Sequence, residues 1–449
     1  MTIWMIAGGT ALSVLILFFL WFTITSLMEK ERRAFGRSLV FLLAFSAMGA
    51  FFLLAPYPLK TWLFGLVAVL MGIFLLSLLF SPTPKKNIEV VGTQNKIDER
   101  DVIFARFDHE HGSSLIQDYY MRRPELESID REIRELPDLL TPLQLKKDPI
   151  LFSLAGSEFD FLEHQLSLVK GKIGREELGL SDNQNTRIIK SVIKYLGSDL
   201  CGVCALDQAY VYSHVGRGPE LYGQEIDLDH KYAIVFAVEM DLGMVSSAPK
   251  APVIVETAKK YVEAAKISII TANFIRRLGY PARAHIAGSN YQCMLPPLGW
   301  GAGLGELGRL GILITTEYGP RARLGLITTD LPLIPDEKKV LGIQDFCEKC
   351  QKCARNCPAQ AIPYDRKKEE NGSLRWILDR EECYRYWRKG GTDCAVCIHV
   401  CPFSKPNNPF HDFIRKLASA SSIAQTLSVW GDDLFYGRIP SRRKSPLWC

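Results

Sequence analysis

Charge is missing where a soluble protein would show it. No Asp, Glu, Lys or Arg occurs from Met1 to Met28, from Ser38 to Leu59, or from Thr61 to Pro84. Each stretch is long enough to cross a bilayer core as a helix, which takes about 20 residues. None keeps a polar face for water, so the helices of a soluble core are a poor description of them. A basic start is missing too. Met1-Thr2-Ile3-Trp4 and the lack of a twin-arginine signal argue against a cleaved export peptide. Histidine is scarce, at eight residues in 449, and none lies in these stretches, which are therefore assigned no cofactor. The net charge of +5 is too small to point to nucleic acid, and no nucleic-acid partner is expected. Low-complexity segments are absent, and nothing repeats except two runs of cysteine.

Those runs are the most specific feature present. Eight of the 12 cysteines lie in them. Cys347, Cys350, Cys353 and Cys357, followed by Pro358, read C-x2-C-x2-C-x3-C-P. Cys383, Cys394, Cys397 and Cys401, followed by Pro402, read C-x10-C-x2-C-x3-C-P. Thiolates are soft ligands, and the first spacing is the bacterial ferredoxin run whose fourth cysteine serves the other cluster. Two [4Fe–4S] clusters are expected. One takes Cys347, Cys350, Cys353 and Cys401; the other takes Cys383, Cys394, Cys397 and Cys357. Structural zinc favours paired C-x2-C ligands, which the tight triple fits poorly. A disulfide framework belongs to small secreted domains.

Positive charge orients the spans. Lys30, Arg32, Arg33 and Arg37 follow the first, and Lys85 and Lys86 follow the third. Only Lys60 lies between the second and third. The expectation is an N-terminus outside and everything after residue 86 in the cytoplasm, at a bacterial inner membrane, with lipid as a partner of the anchor.

From Asn87 onward the pattern is globular. Helices are expected over Leu115–Tyr120, Glu125–Leu136, Arg187–Leu196 and Ala251–Leu278, the last stopped by Gly279. Ile234–Val238 reads as a buried strand. Leu310–Thr315 and Leu324–Thr329 read as a pair of strands joined through Glu317-Tyr318-Gly319-Pro320. The class is α/β or α+β. Gly303-Leu304-Gly305-Glu306-Leu307-Gly308 matches G-x-G-x-x-G, but Pro296-Pro297 breaks the strand that a dinucleotide fingerprint must follow. The reading for Gly303, Gly305 and Gly308 is instead backbone passing close to a large flat ligand. Cys201 and Cys204 form a lone C-x2-C and read as buried structural cysteines. His109-Glu110-His111 lacks a third ligand and reads as a solvated loop.

From about Asp101 to Phe403 the sequence resembles the corrinoid-dependent reductive dehalogenases. The resemblance rests on Phe274-Ile275-Arg276-Arg277-Leu278-Gly279-Tyr280, on Ala302 to Arg309, on Tyr318-Gly319-Pro320 with Arg323, and on Thr329-Asp330-Leu331-Pro332-Leu333. Phe346-Cys347 and Cys383-Tyr384-Arg385-Tyr386-Trp387 continue it. It implies a nitroreductase-like cobalamin domain over 87–345 and a ferredoxin-like domain over 346–410. A three-helix anchor over 1–86 precedes them, and a C-terminal segment, 411–449, packs on the catalytic domain. Cobalamin is expected base-off between the two domains, and no D-x-H-x-x-G motif is present to ligate it through histidine. The fused spans and the missing export signal depart from the exported members, which pair with a separate anchor protein.

The resemblance also implies roles. Tyr261 matches the proton donor and Arg309 the cation beside it, with Asn290 a weaker pocket residue. Tyr318 and Arg323 fall with the cofactor contacts. The expected reaction expels halide from an organohalide with two electrons and a proton. The electron donor is open among a quinol, a ferredoxin and a membrane reductase. Two rival readings share the clusters. An epoxyqueuosine reductase would be soluble and act on a modified tRNA base. A non-catalytic membrane electron carrier would leave residues 87–345 without a purpose.

Overall fold

A computed structural model describes residues 3–84, 89–110, 112–141, 147–198, 200–287 and 291–441. Asn290, Lys85, Lys86 and His111, singled out above, lie outside the described residues. The chain divides into two compact units, one gathering residues 1–85, 348–350 and 406–441, the other holding the rest.

The first unit is built on three apolar helices, α1 (Ile3–Met28), α2 (Arg32–Leu54) and α3 (Tyr57–Leu79), each long and apolar enough to cross a membrane. Helices α1 and α3 touch backbone to backbone at Gly8, where any Cβ would fall 1.9 Å from the Phe64 carbonyl oxygen. Such close approach through small residues drives helix association where burying apolar surface gains little. Thr23 donates to Ser38 at 3.0 Å across α1 and α2.

Two more helices join this unit, Pro409–Ala420 and Ser422–Phe435. The described part of the C-terminal segment, to Ser441, clusters with the spans. The physical reason is aromatic. Phe410 stacks on Phe22 at 4.7 Å, and Phe435 meets Phe22 edge-on at 4.8 Å. At this junction Glu29 accepts from Asn408 (2.6 Å) and pairs with His411 (3.0 Å), so the carboxylate is buried with partners.

The second unit is an α+β fold around a four-stranded sheet. Its strands are β1 (Leu200–Ala205), β2 (Tyr232–Glu239), β3 (Ala282–His285) and β6 (Ala322–Thr329), in the order β1-β2-β6-β3. Every pairing is antiparallel, which settles α+β over a parallel α/β sheet. Strand β2 is buried on both faces from Ala233 to Val238, as its run of branched and aromatic residues requires. The 26-residue helix α5 (Pro252–Arg277) packs on the sheet, and α4 (Pro149–Glu163) packs on α5. Helix α5 ends where Gly279 turns left-handed at φ 95°.

The two strands expected on either side of residues 317–320 both form, but they do not pair with each other. Leu313–Thr315 (β5) pairs with Gly305–Leu307 (β4), while β6 joins the main sheet. Register in the main sheet explains the choice. Gly325 lies opposite Phe236, and the Phe236 ring occupies the space a side chain would need, 2.1 Å from an ideal Cβ. We expect Gly325→Ala to destabilise this unit by about 1–3 kcal/mol through overpacking. Adding Phe236→Leu should recover part of the loss in a thermal melt; purely additive losses would show that the ring is not the cause.

Candidate active site and cluster region

Tyr261 lies one turn of α5 beyond Thr257, on the same helical face. The guanidinium of Arg323, on β6, sits 5.0 Å over the Tyr261 ring. Its Nη2 donates to Thr257 Oγ1 at 2.7 Å and to Asp393 Oδ2 at 3.3 Å. Thr257 itself donates to the same Asp393 oxygen at 2.6 Å. Burial raises the Asp393 carboxyl's pKa, and the Arg323 charge opposes that shift. A cation over a ring face and beside a carboxylate is well held. Asp393 directly precedes Cys394, so this group ties the tyrosine helix to the second cysteine run. Tyr291 packs into the same core as Tyr261, and burial pushes its hydroxyl far above the usual phenol range.

The cation expected beside Tyr261 was Arg309. The structure commits Arg309 elsewhere: its Nε donates to the Cys347 carbonyl at 3.2 Å and its Nη1 to that of Pro363 at 2.8 Å. Its charge also lies 4.4 Å over the Trp376 ring. Arg309 is thus a brace for the first cysteine run, and the guanidinium on Tyr261 belongs to Arg323. Sequence reasoning had placed Arg323 only among cofactor contacts.

The glycine motif has a structural task as well. It leads out of the helix Leu295–Gly301 into β4, the reverse of the strand–turn–helix order of a dinucleotide site. A Cβ on Gly303 would meet the Glu337 carbonyl oxygen at 2.4 Å, one on Gly305 the Ile314 oxygen at 2.1 Å, and one on Gly308 the Ile314 side chain at 2.5 Å. The space these glycines leave is filled by the chain itself. What the motif delivers is Glu306, fully buried, whose two oxygens accept from the Leu341 and Ile343 amides at 2.6 and 2.7 Å. Those amides open the helix α6 (Ile343–Cys350), which carries Cys347 and Cys350. A carboxylate at a helix start satisfies orphan amides and suits the helix dipole. Tyr318 is buried, with its amide donating to Thr315 Oγ1 at 3.1 Å. The following Gly319, at φ 58°, runs against the Phe403 carbonyl, just past Cys401.

The cysteines of the two runs suit clusters by chemistry and by environment. Cys347, Cys350, Cys353 and Cys401 are buried. The Cys397 thiol is held far above its ordinary pKa, first by burial and then by the neighbouring sulfurs of Cys394, Cys353, Cys383 and Cys357. Sulfurs crowded in this way favour a shared cationic centre. The Ala361 amide donates to Cys357 Sγ at 3.3 Å, the kind of contact that tunes a cluster thiolate. Among the described residues no three His, Cys, Asp or Glu close on a single bound ion. For a corrinoid or a substrate the fitting observation is at Arg323: its Nε is enclosed and has no acceptor among the described residues. That orphaned donor beside Tyr261 suits a polar group that the chain does not supply.

The remaining candidates are structural. Cys201 and Cys204 sit on β1, and burial pushes both thiols up to about 12. His109 lies edge-on to Tyr222 at 4.7 Å.

A family model described as a 4Fe-4S dicluster domain matches residues 346–405. The tetrachloroethene reductive dehalogenase of Dehalobacter restrictus is 32% identical over 303 residues, 57% of this chain and 54% of that protein. The tetrachloroethene reductive dehalogenase of Sulfurospirillum multivorans is 31% identical over 287 residues, 56% of this chain and 57% of that protein. The chain spans about half the length of the curated relatives it matches. Among solved structures, the catabolic reductive dehalogenase NpRdhA in complex with 3-bromo-4-hydroxybenzoic acid superposes with a TM-score of 0.65. The two are 24% identical, and the match covers 80% of this chain and 49% of that one. The chain therefore carries a dicluster domain and is similar to reductive dehalogenases, in sequence over about half its length and in fold over most of it.

Proposed function

We propose that the chain is a membrane-anchored reductive dehalogenase. Residues 1–86 anchor it in a bacterial inner membrane, residues 87–345 hold a base-off corrinoid on the cytoplasmic side, and residues 346–410 hold two [4Fe–4S] clusters. The substrate class is a small organohalide. The observation that carries the reading is the Tyr261–Arg323–Asp393 group, which joins an acid to the residue before a cluster cysteine. A bound corrinoid supplies the strongly reducing, nucleophilic cobalt, which no side chain can provide. The chain's own residues supply the rest. The Tyr261 hydroxyl donates the proton that replaces the halide. The Arg323 guanidinium, 5.0 Å from the centre of the Tyr261 ring, places a positive charge beside that transfer. Thr257 and Asp393 hold Arg323 in place, leaving its Nε without an acceptor among the described residues and able to meet a polar group of the substrate or cofactor. Cluster one takes Cys347, Cys350, Cys353 and Cys401; cluster two takes Cys383, Cys394, Cys397 and Cys357.

The test is halide release by the full chain, reconstituted in lipid with corrinoid and a low-potential reductant. Tyr261→Phe should lose about 10²–10⁴-fold in turnover, the usual weight of a positioned acid, while cobalt and iron contents stay parental. Parental turnover would remove Tyr261 from the reaction. Reduction of epoxyqueuosine-containing tRNA without halide release would overturn the dehalogenase reading itself.

The two arginines should separate cleanly. Arg323→Met should keep about eight irons per chain, the content of two four-iron clusters, and lose turnover. Arg309→Met should instead perturb cluster one, lowering iron content or altering its electron paramagnetic resonance. Cys350→Ala should disrupt the same cluster. Swapped phenotypes for the two arginine variants would restore Arg309 as the partner of Tyr261.

A further inference from the structure

The helix Ser422–Phe435, α8, has an outer face that the described residues do not cover. Ile423, Leu427, Trp430 and Leu434 recur at spacings of four, three and four, which places them on one stripe. They are 37%, 44%, 75% and 44% exposed. The opposite face buries Ala424, Gln425 and Asp432. A stripe of this kind on a soluble surface would be a liability.

The two ends of α8 show where the stripe lies. At its start, the Ser422 amide donates to the Pro82 carbonyl at 3.1 Å and the Ile423 amide to Ser81 Oγ at 3.1 Å, both just past the end of α3. At its finish, Arg37 donates to the Leu434 carbonyl, and Arg33 to that of Ile439 at 2.9 Å; both arginines are in the first turns of α2. Helices α2 and α3 are joined by Ala55 and Pro56 alone, so they run antiparallel. The start of α2 and the end of α3 therefore share one end of the bundle. Helix α8, about 21 Å long, bridges those two points and lies across that end instead of projecting from it.

We propose that this outer face of α8 is seated in the headgroup–acyl boundary of an anionic bilayer. Continuity argues for lipid as the occupant. The stripe adjoins the ends of apolar helices whose own surfaces are open, with Leu79 and Phe80 at 78% and 81% exposed. Charge argues the same way. Arg32, Arg33, Arg37 and Arg438 are exposed at this end, where they meet lipid phosphates. Trp430 is the residue type that sits at such a boundary. The chain thus holds its membrane by three spans and by a surface-lying helix that lies more than 340 residues later in sequence. This inference rests on reading α1–α3 as spans, and it is independent of the dehalogenase chemistry.

The experiment uses the full chain, one copy per lipid nanodisc, with phospholipid brominated on the acyl chain near the headgroup. Emission from Trp430 is obtained by subtracting the Trp430→Phe variant, and emission from Trp62, 79% exposed on α3, by subtracting Trp62→Phe. Trp430 should lose at least about half its emission in brominated discs and resist aqueous acrylamide, as a ring buried 5–10 Å into the boundary would. Acrylamide quenching without bromine quenching would overturn the proposal. Protection that arises only when two chains share a disc would also overturn it, assigning the face to a second copy. Failure of bromine to quench Trp62 would instead overturn the span reading on which the proposal rests.

Discussion

Three guanidiniums, those of Arg309 and Arg321 buried and that of Arg323 half-buried, hold the cysteine region in place. Arg309 carries the Cys347, Pro363 and Asp365 carbonyls. Arg321, only 1% exposed, reaches the Ser404 carbonyl just past Cys401 and pairs with Glu239 at 2.6 Å. Arg323 takes Asp393, just before Cys394. A guanidinium costs several kcal/mol to bury unless its donors are met. Each of these therefore persists only while its particular turn of the cysteine region is in position. Lysine could not replace them, because one ammonium cannot span two carbonyls with fixed planar geometry. The result is a cluster region registered against the sheet at three points, all supplied by the strand segment that begins at the glycine motif.

Parts of this were legible without coordinates. The cysteine spacing encodes ligand geometry locally, so it survives without knowledge of the fold. The uncharged stretches encode solvent, and α1, α2 and α3 fall within or close to them. Helix α5 announced itself by length and by Gly279, and β2 by its unbroken apolar run. The clusters were thus easier to anticipate than the residues around them.

What stayed hidden depends on contacts between distant segments. Arg309 and Arg323 are the same side chain in similar company, and only the path of β4, β5 and β6 decides which one reaches Tyr261. The partners of the two strands expected at Leu310–Thr315 and Leu324–Thr329 were hidden for the same reason, since local turn chemistry cannot see the competing strands β2, β3 and β4. The glycine motif was read as room for a ligand. Glycine permits close approach but does not say of what, and here the neighbours are Glu337 and Ile314. Likewise Phe410 and Phe435 look like any core aromatics until Phe22 is placed against them.

The arrangement around Tyr261 also bears on the choice between enzyme and electron carrier. A carrier needs spans, cysteines and a scaffold that keeps the clusters apart from water. It has no use for an enclosed donor without an acceptor. Yet Arg323 holds Thr257 and Asp393 with one nitrogen and leaves Nε enclosed and, among the described residues, unmet beside a tyrosine ring. An unmet buried donor costs about 1–3 kcal/mol, a loss that Arg309 and Arg321 avoid by turning to carbonyls. The one guanidinium of the three that forgoes full satisfaction is the one next to the proposed acid. Strain and unmet polarity concentrate where a site awaits a ligand, and that asymmetry favours chemistry at Tyr261 over mere passage of electrons.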